Sequence, residues 1–371
     1  MQISAQQNAR TAHFRRRSLP PFVHNSPASW SKRTHSAIDK LVYMSTELHW
    51  TEDMLGPDFT QATLPLGPDP DGQGDVSATL VAYKRDTPDF PQRPALLWVH
   101  GMTDYFFDAH VAQHYHELGY AFYAVDLRKC GRSRREGQTW HYISDLTLYY
   151  QDLDAALAAI PHSRVVPMGH STGGLICALW LDAEHPEQVP GLILNGPWLD
   201  MMSVPRPVVK ALSPVINRAG KRFPMLAFPG GNLTAFGDSM HASKHGEWDY
   251  DLTLKPLGGH RKYVGWLRAI FGGFTKLHRG VDVGVPYLTI CSTRSILGKP
   301  YSEEINYVDC VVDVTQTMHW APTLGKDCTL RPIHGARHEA FASRPEIRPE
   351  VFRAVDDWLT THLSAQPAPS H

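Results

Sequence analysis

No stretch of this 371-residue sequence stays apolar for the roughly 18 residues that a membrane-crossing helix requires. Cysteine is sparse. The five present (Cys130, Cys177, Cys291, Cys310 and Cys328) are odd in number, widely spread and without a C-x-x-C pair. That argues against a disulfide framework and against a cysteine-based zinc site, and it is compatible with a reducing, cytoplasmic setting. Neither sign of charge is in excess. With a formal net charge of −1 there is no global attraction for nucleic acid, and no nucleic-acid partner is expected. The 21 histidines are scattered and none falls in an H-E-x-x-H pattern, so surface or core positions are the plainer reading. No metal or organic cofactor is expected.

Acidic residues are missing from residues 1–38, which carry Arg10, Arg15, Arg16, Arg17, Lys32 and Arg33 among Ser, Pro and Gln. A transit peptide has this composition, whereas the apolar core of a secretory signal is absent. A basic, disordered N-terminal extension over 1–43 is the reading adopted, and Met44 would make a sensible start. The chain from Ser364 to His371 is expected to be a polar tail.

What is present in quantity is ordinary globular composition, 42% apolar and 20% charged, arranged in an alternating rhythm. Thr46–Trp50 and Phe59–Leu66 alternate loosely, and Val76–Tyr83 reads as a strand. Ala95–Val99, Ala121–Asp126, Arg164–Met168 and Gly191–Asn195 read as short buried strands. Helices are expected between them at Val111–Leu118, Ser144–Ile160 and Thr172–Ala183. Such β-α-β-α-β order predicts a mostly parallel sheet with helices on both faces. The rhythm breaks from about Leu199 to Gly284, a segment rich in Pro, Gly, Trp and His. There Val204, Val208, Leu212, Val215, Ile216 and Ala219 could share one helical face, either packed on the core or turned to a lipid-like ligand. Alternation resumes with a strand at Val285–Cys291, a helix at Thr315–Leu324, a strand at Cys328–Ile333 and a helix from about Pro349. The expected organisation is 1–43 extension, 44–198 first core part, 199–284 inserted cap, 285–363 second core part and 364–371 tail.

Gly169-His170-Ser171-Thr172-Gly173 sits between an expected strand and an expected helix. This is the context in which G-x-S-x-G turns a serine out above a sheet edge. Serine alone is a poor nucleophile near neutral pH. It needs a base, and the base needs an acid that fixes its tautomer. His338, in Ile333-His-Gly-Ala-Arg-His-Glu after the last strand, is the base candidate; His334 lies closer to the strand and is expected to point into packing. The acid belongs after Val285–Cys291, where Glu303-Glu304, Asp309 and Asp313 compete. Asp309 is preferred, and Asp313 before Val314-Thr-Gln suits a helix cap. Two backbone N–H groups must meet the developing oxyanion: Thr172, after the serine, and Met102, in the His100-Gly101-Met102 loop. Cys130 is read as a structural thiol, Arg132, Arg134 and Arg135 as a solvated loop, and Asp104 as a turn cap.

Leu-Trp-Val-His-Gly-Met, Val125-Asp-Leu-Arg-Lys-Cys-Gly-Arg-Ser133, Gly-His-Ser-Thr-Gly-Gly and Gly335-Ala-Arg-His338 occur in this order. Together they resemble the monoacylglycerol lipase / lysophospholipase branch of the α/β-hydrolases, the serine aminopeptidase S33-like group, over about Val76–Leu363. The resemblance implies an α/β-hydrolase fold with an inserted cap. It also implies Ser171 as nucleophile, Asp309 as acid, His338 as base, and Met102 and Thr172 as oxyanion hole. Lys129-Cys130 departs from the usual Gly-His, and Ile296–Val308 is longer than usual before the acid. The implied activity is hydrolysis of a small acyl ester or lipid, with at most peripheral membrane contact through the cap. The alternatives are an N-terminal peptidase, for which Glu247 with Asp249 or Asp251 would hold the substrate ammonium, and a binding protein without catalysis.

Overall fold

A computed structural model describes residues 48–202, 206–228 and 232–363, all within the unit Tyr43–His371. The expected extension 1–43, the tail 364–371 and Val204 lie outside the described residues. Three strands open the described chain: β1 (Trp50–Asp53), β2 (Gly56–Pro68) and β3 (Asp75–Tyr83), joined antiparallel. Then β4 (Ala95–Val99), α1 (Ala109–Glu117), β5 (Ala121–Asp126), α2 (Leu148–Ala159), β6 (Val165–His170), α3 (Thr172–Glu184) and β7 (Leu192–Asn195) alternate. An inserted stretch holds α4 (Arg206–Arg222), β8 (Ala227–Phe228), α5 (Thr234–Met240), β9 (Lys262–Tyr263) and α6 (Val264–Arg279). The chain returns to the sheet with β10 (Tyr287–Ser292), α7 (Val314–Trp320), β11 (Cys328–Ile333) and α8 (Arg348–Leu363).

The main sheet has the order β1-β2-β3-β5-β4-β6-β7-β10-β11, and every pairing from β5 onward is parallel. Its central strand shows why this sequence builds two layers. Along β4, Ala95, Leu97 and Val99 enter one apolar cluster while Leu96 and Trp98 enter the other. A strand buried on both faces needs apolar residues at every position, and β4 has them. One layer contains Leu175, Ile176 and Leu179 of α3; the other contains Val351, Val355 and Leu359 of α8. Because β5 and β6 lie on opposite sides of β4, the carboxyl ends of β4 and β6 form a switch point where a crevice opens.

Departures from expectation have local causes. Helix α2 starts at Leu148 rather than Ser144, because the Asp145 carboxylate accepts from the Thr147 N–H at 3.0 Å and its Oγ1 at 2.9 Å and holds a turn there. Helix α6 was not foreseen within a stretch rich in Pro and Gly, and it holds Gly265, Gly272 and Gly273. Gly273 is a contact residue: a Cβ there would stand 2.6 Å from Leu146 Cδ1. The basic loop is not solvated throughout. Arg132 is buried between Asp53 (2.6 Å) and Asp126 (2.9 Å), while Lys129 is buried against Asp69 (2.8 Å) and Asp71 (3.1 Å). Cys130 beside it is buried, which pushes its thiol well above the usual range, as suits a structural role. Among the described residues, no helix is long and apolar enough to cross a membrane.

Candidate active site

Ser171 leaves β6 and enters α3 with φ 53° and ψ −117°, a conformation an L-residue holds only under constraint. Such a residue costs about 1–3 kcal/mol. Backbone hydrogen bonds hold it: the Ser171 N–H donates to Asn195 O (3.0 Å), and Ser171 O accepts from Gly174 N–H (3.0 Å), Trp198 N–H (3.1 Å) and Leu175 N–H (3.4 Å). The turn is tight because small residues permit it. A Cβ on Gly173 would run into the carbonyl oxygens of Val99 and His100, and one on Gly101 would stand 2.9 Å from Ser171 Cβ. The loop after β4 is thereby pressed against the serine, which sets Met102 beside it. Thr172 is the first residue of α3, so its N–H has no partner within the helix and points out of the positive end of the dipole.

His338 lies in the loop after β11, and Asp309 in the loop after β10. The His338 Nδ1 and Asp309 Oδ2 are 2.8 Å apart, with Asp309 fully buried. Asp309 Oδ1 accepts the N–H groups of Val311 and Val312, both at 2.8 Å, which fixes the carboxylate plane. A carboxylate only accepts, so the proton of a neutral His338 sits on Nδ1 and Nε2 is left with its lone pair. Ser171, His338, Met102 and Thr172 all line one cavity of about 140 Å³.

The competing residues are placed elsewhere. Asp313 accepts from Thr315 N–H (3.0 Å) at the start of α7, as a helix cap does. Glu304 pairs with Arg294 at the surface (2.7 Å). His334, expected inside, is exposed, with its Nδ1 3.4 Å from Thr293 Oγ1: it falls where β11 ends and its side chain turns away from the core. Asp104, expected as a turn cap, does accept from Tyr105 N–H (3.0 Å) but is buried and paired with Lys255 Nζ at 2.6 Å. The carboxylates named for a peptidase are not among the residues lining the cavity: Glu247 pairs with Arg348 (2.6 Å), Asp251 accepts from Thr253 N–H (2.6 Å), and Asp249 is exposed, 3.9 Å from His241 Nε2.

A buried polar group escaped sequence reading. Asp104 Oδ2 lies 3.1 Å from His170 Nδ1, which is also 3.3 Å from Glu339 Oε2, and Glu339 Oε1 accepts from Asn195 Nδ2 at 2.7 Å. Burial pushes His170 down to about 4, against the pull of Asp104, so its imidazole is neutral near pH 7. Burial alone would raise the Asp104 carboxyl, but Lys255 and His170 hold it well below the usual range. Burial pushes Asp108 up to about 7, and it pushes Glu339 well above the usual range with Asp108 adding to it. The only sequence signal was adjacency: His170 precedes the serine and Glu339 follows His338.

The cavity walls are mainly apolar, with Trp198, Met201, Met202, Phe228, Trp266 and Leu267 on one side. Known proteins resemble this chain in sequence and in fold. Residues 91–302 match the family described as serine aminopeptidase, S33. The chain is 27% identical over 295 residues to a monoacylglycerol lipase of Mycolicibacterium smegmatis, covering 78% of this chain and 95% of that protein. Its fold is similar to a soluble variant of monoglyceride lipase from Saccharomyces cerevisiae, solved with a substrate analogue (TM-score 0.58, 16% identity, 86% of this chain and 98% of that one). It is similar also to the monoacylglycerol lipase of Paleococcus ferrophilus (TM-score 0.55, 21% identity, 73% of this chain and 96% of that one). With a family match over more than half its length and the sheet described above, the chain belongs to the serine aminopeptidase S33 family, in the monoacylglycerol-lipase-like branch of the α/β-hydrolases that its motifs resemble.

Proposed function

We propose that this protein is a serine hydrolase that cleaves a carboxylic ester, of monoglyceride, lysophospholipid or similar type, through an acyl-enzyme on Ser171. The observation that carries the reading is the His338–Asp309 hydrogen bond beside a strained serine in one apolar cavity. His338 Nε2 takes the Ser171 proton as Oγ attacks the ester carbonyl, and Asp309 steadies the imidazolium that forms. The N–H groups of Met102 and Thr172 receive the oxyanion. The alcohol departs with the proton from His338, and water repeats the sequence on the acyl-enzyme.

The stretch 199–284 serves as a cap over this centre, between core parts 44–198 and 285–363. Its Met202, Phe228 and Trp266, with Trp198 of the core beside them, form the wall that would take an acyl chain. On its outer side Val215, Phe223 and Leu226 are more than half exposed, beside Arg218, Lys221 and Arg222 on the same helix or just past it. An apolar strip flanked by cations suits brief contact with a lipid surface where such esters reside. A peptidase would need a carboxylate free to hold an ammonium; among the described residues that line the cavity, the one carboxylate, Asp104, is already paired with Lys255.

The test is a p-nitrophenyl ester series of rising chain length on wild type and Ser171→Ala. Wild-type turnover should exceed that of the variant by at least about 10³-fold. Comparable rates would overturn the reading, and an amino-acyl anilide cleaved far faster than every ester would replace it with the peptidase.

A further inference from the structure

The loop after β4 carries Met102 and then three residues, each tied to the cap by its own bond. Thr103, itself at φ 63°, accepts the His260 N–H on its Oγ1 at 2.6 Å. Asp104 Oδ1 accepts from Lys255 Nζ at 2.6 Å, and the Tyr105 hydroxyl accepts the Asp251 N–H at 2.9 Å. The grip falls close to the serine: Gly101 packs against Ser171 on one side of Met102, and Thr103 follows on the other.

Lys255 is the charged member of this grip. It is 5% exposed, and its ammonium lies 4.4 Å from the Phe107 ring centre, 5.3 Å from Tyr250 and 5.7 Å from Phe236. A cation leaves water for such a site only where an anion awaits it. That anion, Asp104, is in turn bound to His170, and His170 reaches Glu339. One continuous set of contacts therefore joins the cap to the residue before Ser171, the residue after His338 and the loop that holds Met102. Asp108 adds a third buried carboxylate to the same group. With Lys255 in place the group is close to neutral; without it, Asp104 is a buried anion beside two further acids. Relief can come only by drawing in water, taking up a proton or swinging Asp104 outward, and the last of these moves Met102.

We propose that Lys255 is a positioning residue of the hydrolytic centre, a cap-borne cation whose ion pair with Asp104 sets the Met102 loop for the oxyanion. It acts through Asp104 and not on substrate. The proposal rests on the serine-hydrolase reading above.

Its test uses the full chain, p-nitrophenyl butyrate as substrate and Ser171→Ala as the baseline. Wild type no faster than Ser171→Ala would mean that the hydrolase reading has failed, whatever the Lys255 variants do. With turnover established, Lys255→Met should lower kcat about 10²-fold, the size of effect a displaced oxyanion donor has. Lys255 lines the cavity, but its ammonium is taken up by Asp104, so KM should move by less than about threefold. Phosphonylation of Ser171 by a fluorophosphonate, which sets its phosphoryl oxygen at the same N–H donors as fluoride leaves, should slow in step with kcat. Joining Asp104→Asn to Lys255→Met removes the stranded charge and should restore kcat at least about tenfold over the single variant. An unchanged kcat in folded Lys255→Met, a change confined to KM, unaltered phosphonylation, or a double variant no faster than the single would each overturn the proposal. If Lys255→Met does not fold, the double variant decides: it should fold and turn over within about tenfold of wild type, and a folded, inactive double variant refutes the assignment.

Discussion

Replacing Asp309 by asparagine changes one atom and, on this structure, reverses the proton on His338. Asp309 Oδ1 accepts the N–H groups of Val311 and Val312 at 2.8 Å, and Oδ2 faces His338 Nδ1 at 2.8 Å. The amide oxygen of asparagine can keep both backbone donors, which directs its NH₂ at His338. A ring nitrogen facing a donor must accept, so the imidazole proton moves to Nε2, the nitrogen the mechanism needs bare. Loss of the correct tautomer costs about 10⁴-fold in kcat, or about 5.4 kcal/mol of barrier. Stability should change by only about 1 kcal/mol, because both backbone hydrogen bonds survive in neutral form. The assay is ester turnover alongside a denaturant melt of the same preparation. Asp313→Asn is the internal control: Asp313 caps α7 through Thr315 N–H, asparagine caps equally well, and turnover should stay within about twofold of wild type. A folded Asp309→Asn retaining turnover within about tenfold of wild type, or a loss confined to Asp313→Asn, would refute the reasoning.

Two further predictions test the surroundings. Burial pushes Asp108 up to about 7 from an ordinary 3.8, so the folded protein keeps a proton that the unfolded chain releases. The stability this contributes is present below the unfolded value and is lost as pH rises through about 7; Asp108→Asn should therefore stabilise by about 2–4 kcal/mol at pH 8 and by little at pH 4, as denaturant melts at the two pH values would read. On the cap surface, Val215→Asp with Leu226→Asp should leave hydrolysis of a dissolved short ester unchanged. The same pair should slow hydrolysis of a monoglyceride held in anionic vesicles several-fold; equal rates on vesicles would remove the lipid-contact role.

The sheet was legible because its central strand is apolar at every position and its other strands are bounded by clear turns; Ala95–Val99, Ala121–Asp126 and Cys328–Ile333 form with the bounds read from sequence. The candidate site was legible where chemistry demands fixed residue types after particular strands; Ser171 and His338, named on that ground, both line the cavity. Choosing Asp309 over Asp313 was harder. Four residues separate them, and only the backbone path decides that one meets His338 and the other caps α7. The cap resisted reading for a different reason. Its glycines serve close packing, as Gly273 does against Leu146, yet in a sequence they look like breaks. Buried pairs such as Lys255–Asp104, 151 residues apart, leave no periodic trace at all.

The central claim is that Ser171 carries the acyl group. Intact-mass and peptide mapping after reaction with a fluorophosphonate tests it most directly, with Ser171→Ala alongside. The account predicts one adduct per chain, on the peptide containing Gly169-His170-Ser171-Thr172-Gly173, and none in Ser171→Ala. A stoichiometric adduct on another residue, or an equal one in Ser171→Ala, would contradict it.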